Sequence, residues 1–213
     1  MKLYGYWRSS SSYRVRVALG LKGLAYESAP VHLLKDGGQQ HAESFRAINP
    51  MAQVPVLEVE HEGRTVRLGQ SIAILEYLEE RFPAPALLPA DPVLRARVRQ
   101  LTEIVNSGIQ PFQNLSVLQA LDKHGVDSKA FAVDAIRKGL QAFTALAEPV
   151  AGAFSVGDAP TFAECVLVPQ LYSARRFGID VEADFPLLAR IDARCAELEA
   201  VQAAHPDRQP DAA

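Results

Sequence analysis

Apolar and polar positions change places in short blocks over residues 1–82 and settle into a helical rhythm afterwards. Residues 2–6 read as an apolar-aromatic strand, ended by the polar run after Trp7. In residues 12–22, Tyr13, Val17, Ala18 and Leu21 recur at helical spacing, with Arg14 and Lys22 off that stripe, which predicts a helix. Gly23 is placed to end it, because glycine takes the left-handed backbone without penalty. Residues 26–33 read as a second strand. A polar loop with Gly37 and Gly38 follows, then a short helical stretch over 41–48 that Asn49-Pro50 breaks. Val54-Pro55 opens a third strand running to Val59, residues 60–63 turn the chain, and residues 65–68 return as a fourth. Ser71 starts a helix with Ile72, Leu75, Leu78 and Phe82 on its buried side. The order β-α-β-α-β-β-α predicts an α+β domain with one parallel crossover pair and an antiparallel edge.

Pro83, Pro85, Pro89 and Pro92 crowd into residues 83–92, which suits an extended linker and resists helix formation. The pattern places an N-terminal domain at 1–82 and an all-α domain at 93–213. One long helical pattern covers 93–121, with a kink expected at Gly108 and Pro111. Residues 128–147 form the next helix. Thr161-Phe162-Ala163-Glu164 is a capping box before a buried helix containing Cys165, and a last helix covers 186–201. The tail from His205 is polar and expected to be loosely held.

Composition narrows this picture. Of 213 residues, 48% are hydrophobic and 22% charged, enough for one large core or two small ones. A formal net charge of -3 gives no general attraction to nucleic acid or anionic membrane, though a local anion site remains open. Cys165 and Cys195 form no CxxC and are expected as free buried thiols in a reducing, cytoplasmic setting. His32, His41, His61, His124 and His205 have no metal-ligand spacing, so no metal is expected. Neither a signal core nor a membrane-length apolar run is seen, and a cytoplasmic protein is expected.

Three places could carry chemistry. Ser9, Ser10, Ser11 and Ser12 sit between a strand and a helix. One serine suffices as a helix cap. Four in a row beside Arg8 would also cluster donors at the positive end of a helix dipole, where an anion such as phosphate, carboxylate or thiolate is stabilised. A serine nucleophile is not indicated, for want of a Gly-x-Ser-x-Gly elbow or a nearby histidine base. Val54-Pro55 is either a proline at a strand start or a cis bond presenting the Val54 backbone to an extended peptide. Gln70-Ser71 is a helix start that could equally receive a ligand carboxylate.

In this order, with the proline stretch and the helical half, these segments resemble the cytosolic glutathione transferases. The details are similar to the zeta class: residues 8–16 (Arg-Ser-Ser-Ser-Ser-Tyr-Arg-Val-Arg) follow its Ser-Ser-Cys-x-Trp-Arg-Val-Arg signature. Gln39-Gln40, Asn49-Pro50-Met51, Gln53-Val54-Pro55, Gln70-Ser71-Ile72, Ile109-Gln110-Pro111, residues 113–118 and Leu167-Val168-Pro169-Gln170 also match. Two positions depart from it, Ser11 standing where the class has Cys and Tyr13 where it has Trp. The resemblance implies a thioredoxin-like N-terminal domain, an all-α C-terminal domain, glutathione as cofactor and a homodimer.

The implied reaction is cis–trans isomerisation of a conjugated enol-diketo acid, such as 4-maleylacetoacetate, by reversible thiolate addition to the C=C bond. A free thiol has a pKa near ~8.5, so a drop of about two units needs roughly 2.7 kcal/mol of preferential stabilisation. Ser9 is the expected direct donor to sulfur, with Ser10 and Ser11 in support. Ser12, Tyr13, Arg14, Gln40, Val54, Pro55, Gln70 and Ser71 would hold glutathione. Gln110, Asn114, Leu115 and Ser116 would approach from the helical domain. Arg8 and Arg176 would meet the charge of a small dicarboxylic substrate. Without the resemblance, Arg176 reads as a solvated helix end, and Arg14 and Arg16 as surface charges. Maleylpyruvate isomerisation, general glutathione transfer and a non-catalytic binding module stand as alternatives.

Overall fold

Four strands make one mixed sheet in the order β2-β1-β3-β4, with β1 at Lys2–Gly5, β2 at Glu27–Pro30, β3 at Val56–His61 and β4 at Arg64–Gly69. β1 and β2 run parallel, while β3 pairs antiparallel with both β1 and β4. The expected crossover and hairpin edge are both present. Glu62 (φ 51) and Gly63 (φ 72) form the hairpin tip, the paired left-handed residues that match strand twist. The computed structural model describes residues 1–212.

Helix α1 (Ser10–Leu21) ends as the sequence predicts. Gly23 has φ +65, Leu24 N–H donates to Leu19 O and Gly23 N–H to Gly20 O, which is a Schellman closure. Its surroundings differ from the amphipathic expectation. Every residue from Ser12 to Leu19 is buried, because α1 packs against α3 (Ser71–Arg81) and α10 (Glu199–Ala204) as well as lying within the α+β unit. Arg14 and Arg16, read as surface charges, are only 1% and 4% exposed. Lys22 is also buried. Its Nζ meets Glu79 Oε2 at 2.7 Å, Phe82 O at 2.7 Å and Pro85 O at 2.9 Å, one acceptor for each ammonium proton. A buried ammonium is tolerated only when paired in this way.

The other face of the sheet carries a small cluster of Val31, Phe45 and Val56 with Tyr4, Ile48 and Val54 packed on it. Phe45 comes from α2 (Glu43–Arg46), the core of the predicted 41–48 stretch.

The chain divides into two units: Met1–Ala86 together with the segment from Leu198 onward, and Leu87–Glu197. The division falls inside the proline-rich stretch. Two details differ from a plain linker over 83–92. Leu87 and Leu88 are buried, and Pro92 is the first residue of α4 (Pro92–Asn106), capped by Asp91 through Val93 N–H and Leu94 N–H. Proline is tolerated there because the first helical N–H groups have no partner within the helix.

A larger difference concerns the C-terminal tail. It is held, not loose. The predicted last helix is split into α9 (Pro186–Ala196) and α10, and α10 and the following turn Pro206–Arg208 join the first unit. A Cβ on Gly20 would lie 3.1 Å from Ala200 Cβ and O, so the glycine allows α1 and α10 their close approach.

The second unit is helical. The pattern over 93–121 breaks completely where a kink is expected. α4 stops at Asn106, a 3-10 turn covers Gln110–Gln113, and α5 occupies Leu115–Lys123. A Cβ at Gly108 would lie 2.6 Å from Ile104 O, so only glycine suits this exit. Ile109 is buried against Gly139 of α6 (Ser128–Ala147). α7 (Phe162–Arg176) is buried from Phe162 to Leu171 and packs against α4, α9 and the short α8 (Val181–Asp184). No helix among the described residues is long and apolar enough to cross a membrane.

Candidate functional site

The sheet register brings the predicted segments of the first unit to one end. Tyr4 of β1 pairs with Val56 of β3, and Val56 pairs with Gly69 of β4. The serine run therefore leaves β1, Val54-Pro55 enters β3 and Gln70-Ser71 leaves β4 at the same end of the sheet. β2 runs parallel to β1 with Pro30 opposite Gly5, so the chain toward Gln40 leaves there too.

Each serine of the run has its own environment. Ser9 is the N-cap of α1 (φ -70, ψ 119), and its Oγ accepts from Ser12 N–H at 3.2 Å. The Ser9 hydroxyl proton remains available to a ligand. Ser12 is buried and its Oγ accepts from Tyr6 N–H at 3.4 Å, so its role here is internal. Ser10 and Ser11 are half-buried in the first turn, with no partner for their hydroxyls among the described residues. α1 has no acidic residue in that turn. The helix start thus offers free donors and a positive dipole end without a carboxylate of its own.

Arg14 links this helix to the second predicted segment: its Nη1 donates to Ser71 Oγ at 3.1 Å, both side chains being buried. Ser71 accepts from a guanidinium and keeps its own proton to donate. Before it, Gln70 holds φ 65 and ψ 113, an uncommon conformation for a residue other than glycine, of a kind that clusters at ligand sites. Tyr13, a predicted cofactor residue, instead lies 2% exposed with Arg16 over its ring at 5.3 Å and His205 edge-on at 6.2 Å, so it serves the interior.

The Val54–Pro55 peptide is cis. The β3 ladder begins at Val56, and among the described residues no hydrogen bond engages the Val54 N–H or C=O. Asn49 shapes the approach, donating to Gln53 O at 2.7 Å and accepting from Met51 N–H at 3.1 Å. Gln40 is buried, with Nε2 3.5 Å from Leu33 O and 3.1 Å from His41 Nε2, while its Oε1 has no partner among the described residues. Arg8 lies half-buried over the Trp7 ring at 5.2 Å.

The remaining predicted residues belong to the second unit. Gln110 is half-buried in its 3-10 turn. Asn114 caps α5, accepting from Ser116 N–H at 3.1 Å and Ser116 Oγ at 3.0 Å, and Leu115 and Ser116 are exposed. Arg176 is exposed in the last turn of α7, over the Tyr172 ring at 6.0 Å. A pair that sequence reading did not single out is Gln113 with Gln170: their amides exchange hydrogen bonds at 2.9 and 3.1 Å, with Gln170 1% exposed.

Cys165 and Cys195 are free and buried, and burial pushes the Cys195 thiol well up from its ordinary value. Burial also keeps the Cys195 sulfur from serving as a thiolate. Among the described residues no cluster of His, Cys, Asp or Glu could hold a metal ion.

Two family models match the chain, the glutathione S-transferase N-terminal domain over residues 3–86 and the C-terminal domain over residues 117–199. The chain belongs to the glutathione transferase family. Among its relatives in that family is a maleylacetoacetate isomerase of Rattus norvegicus, 47% identical over 98% of this chain and 94% of the relative. A solved maleylacetoacetate isomerase from Anaeromyxobacter dehalogenans 2CP-1, with glutathione bound in its active site, is 57% identical with a TM-score of 0.91 over 100% of this chain and 97% of that one. A maleylpyruvate isomerase described as a bacterial zeta-class glutathione transferase is 45% identical, with a TM-score of 0.93 over 100% of both chains. The α+β unit is thus the family's thioredoxin-like domain and the helical unit its C-terminal domain.

The residues fit the tripeptide of this glutathione transferase's relatives. An open helix start suits a thiolate, an unpaired backbone at Val54 suits a peptide, and the Arg14-backed Ser71 hydroxyl suits a carboxylate. The orphaned Gln40 Oε1, which would accept an N–H, is a further polar group left for a ligand.

Proposed function

We propose that this glutathione transferase is a glutathione-dependent cis–trans isomerase converting maleylacetoacetate to fumarylacetoacetate. The observation that carries the chemistry is the N-terminus of α1, where Ser9, Ser10 and Ser11 offer hydroxyl protons and no acidic side chain competes. The relatives named as maleylacetoacetate isomerases support the substrate. Bound glutathione would supply the thiolate that adds to the C=C bond, lets it rotate as a single bond, and leaves again. The protein's part is to favour the thiolate over the thiol. Ser9 gives its proton outward while its oxygen caps the helix, and Ser10 and Ser11 add donors at the dipole end. One or two such charge-assisted bonds, at roughly 1.5–3 kcal/mol each, cover a drop of about two pKa units.

Gln40, Val54, Gln70 and Ser71 would hold the peptide portion, Arg14 fixing Ser71 as a donor. Arg8 and Arg176 are the groups we assign to the carboxylate and to the oxygen that gains charge as the thiolate adds. Gln110, Asn114, Leu115 and Ser116 are assigned to the ligand from the helical unit. Ser11 in place of cysteine, with two buried cysteines elsewhere, supports glutathione's sulfur as the nucleophile. A homodimer in the cytosol belongs to the same proposal, and light scattering of the purified chain tests the dimer.

Maleylpyruvate is the second candidate substrate, because a maleylpyruvate isomerase resembles this chain over its full length. Both acids should be assayed with and without glutathione. A faster turnover of maleylacetoacetate that requires glutathione is expected. A preference for maleylpyruvate would replace the substrate, and no dependence on glutathione for either acid would overturn the reading.

A further inference from the structure

The loop that carries Ser9 is held by parts of the chain that lie far from it in sequence. Residues 6–9 connect β1 to α1. Within the loop, Ser9 N–H donates to Tyr6 O at 3.0 Å and Tyr6 N–H donates to Ser12 Oγ at 3.4 Å. Two further anchors come from elsewhere. Arg16 Nη1 donates to Tyr6 O at 3.4 Å and Nη2 to Trp7 O at 2.9 Å, while its Nε donates to Ala204 O at the end of α10 at 3.0 Å. Trp7 N–H donates to Asp211 Oδ2 at 3.0 Å.

Both backbone groups of Trp7 are therefore engaged, one by Arg16 and one by Asp211. Tyr6 O carries two donors, Arg16 and the Ser9 N–H. The serine that caps α1 shares the Tyr6 carbonyl with a guanidinium that also grips the C-terminal segment. Burying a guanidinium without a carboxylate at contact distance is costly, and carbonyl acceptors offset only part of that cost.

We infer that the C-terminal segment, residues 198–212, belongs to the thiol-activating apparatus, with Arg16 and Asp211 as positioning residues that fix the loop bearing Ser9. The inference rests on the reading that Ser9 donates to a glutathione thiolate. Sub-ångström placement matters for such a donor, since hydrogen-bond strength falls steeply with distance and angle. Arg16 also brings its positive charge to the same end of α1. Burial pulls its own pKa down to about 10, against opposing pulls from Tyr26, Tyr13 and Asp211, the ionisable groups that face it. The close packing of Gly20 on Ala200 and the ring of His205 on Tyr13 seat the segment so that Asp211 reaches Trp7.

The experiment reads the ionisation of the bound thiol by thiolate absorbance in the ultraviolet as pH is varied. Binding of S-methylglutathione, which has no ionisable thiol, is measured alongside. Asp211→Ala removes the acceptor and the charge, and Asp211→Asn keeps an oxygen acceptor for Trp7 N–H and removes only the charge. Asp211→Ala is expected to raise the bound-thiol pKa by about half a unit to one unit relative to Asp211→Asn, a shift of ~3- to 10-fold in thiolate at neutral pH. Arg16→Met should raise it further and Arg16→Lys should recover part of the shift. S-methylglutathione binding should change less than ~3-fold in either Asp211 variant.

A merely structural tail would lower the melting temperature of Asp211→Ala and leave the thiol pKa equal to that of Asp211→Asn. That result overturns the inference, and should Arg16→Met fail to fold, the Asp211 pair decides alone. Combining Asp211→Ala with Ser9→Ala supplies the coupling test. The effect of Asp211→Ala should vanish without the Ser9 hydroxyl, and an undiminished effect would also overturn the inference. Failure of the underlying reading is distinct, because the wild-type chain would then give no thiolate signal with glutathione at any pH below that of the free thiol.

Discussion

Two helix N-termini in this chain solve the same problem in opposite ways. At the start of α7, Glu164 closes the helix on itself. Its carboxylate accepts from Thr161 N–H at 2.7 Å, Thr161 Oγ1 at 2.9 Å and Ser155 N–H at 2.8 Å, and Thr161 Oγ1 accepts from Ala163 N–H at 3.1 Å. The terminus already owns its anion, and all of it is buried. At the start of α1, Ser9 caps Ser12 N–H and nothing acidic follows. One terminus is saturated and serves folding. The other is left open and can serve a ligand's anion. Between these two termini the difference lies in the first-turn carboxylate and not in the capping residue, since Thr and Ser are both good caps.

The largest test removes the internal anion. Each buried donor left unsatisfied costs roughly 1–3 kcal/mol, so Glu164→Ala is expected to lose about 3–5 kcal/mol in a urea titration. In the folded fraction the pKa of a bound glutathione thiol should stay where it is, and a shift there would mean that the two termini are not independent. Ser9→Ala should show the reverse profile. Loss of the cap costs about 1 kcal/mol of stability. The bound-thiol pKa should rise by about one to two units, because a lost charge-assisted bond is worth roughly 1.5–3 kcal/mol. A raised thiol pKa means that thiolate, and isomerase activity with it, appears only at higher pH. An unchanged profile would reject Ser9 as the donor.

Ser11→Asp turns the open terminus into one that resembles α7. A first-turn carboxylate is expected to stabilise α1 by about 0.3–1 kcal/mol, while weakening glutathione binding and raising the thiol pKa. Stability and activity should thus move in opposite directions, and a variant improved in both would break the comparison. The smallest effect expected is none. Treatment of the folded chain with iodoacetamide, removed before glutathione is added, should leave activity intact because Cys165 and Cys195 are buried. Inactivation would implicate a protein thiol.

Much of this was legible in the sequence where the physics is local. The Thr161 capping box, the Gly23 helix end and the hairpin at Glu62-Gly63 depend on hydrogen bonds spanning a few residues, and the structure has each of them. The serine run was also legible as a helix start. The division of labour within it was not: Ser12 is spent on Tyr6 N–H, and Tyr13 on the interior, because both depend on what packs above α1. Periodicity misjudged Arg14 and Arg16 for the same reason. Arg14 is off the apolar stripe and Arg16 reads as a surface charge, yet α3 and α10 cover them and supply acceptors.

The sequence by itself determined the order of elements, the residues that start and stop them, and a helix start rich in hydroxyls and free of acid. Those are consequences of backbone geometry and near-neighbour hydrogen bonds. Only the tertiary structure decided that Val54-Pro55 is cis, that the serine run, Val54 and Ser71 leave the sheet at one end, and that the C-terminal tail reaches back to Trp7. Those outcomes depend on strand register and on partners as far apart as Arg16 and Ala204. Burial of a charge is set by whatever distant acceptor the fold delivers to it, and no local pattern encodes that.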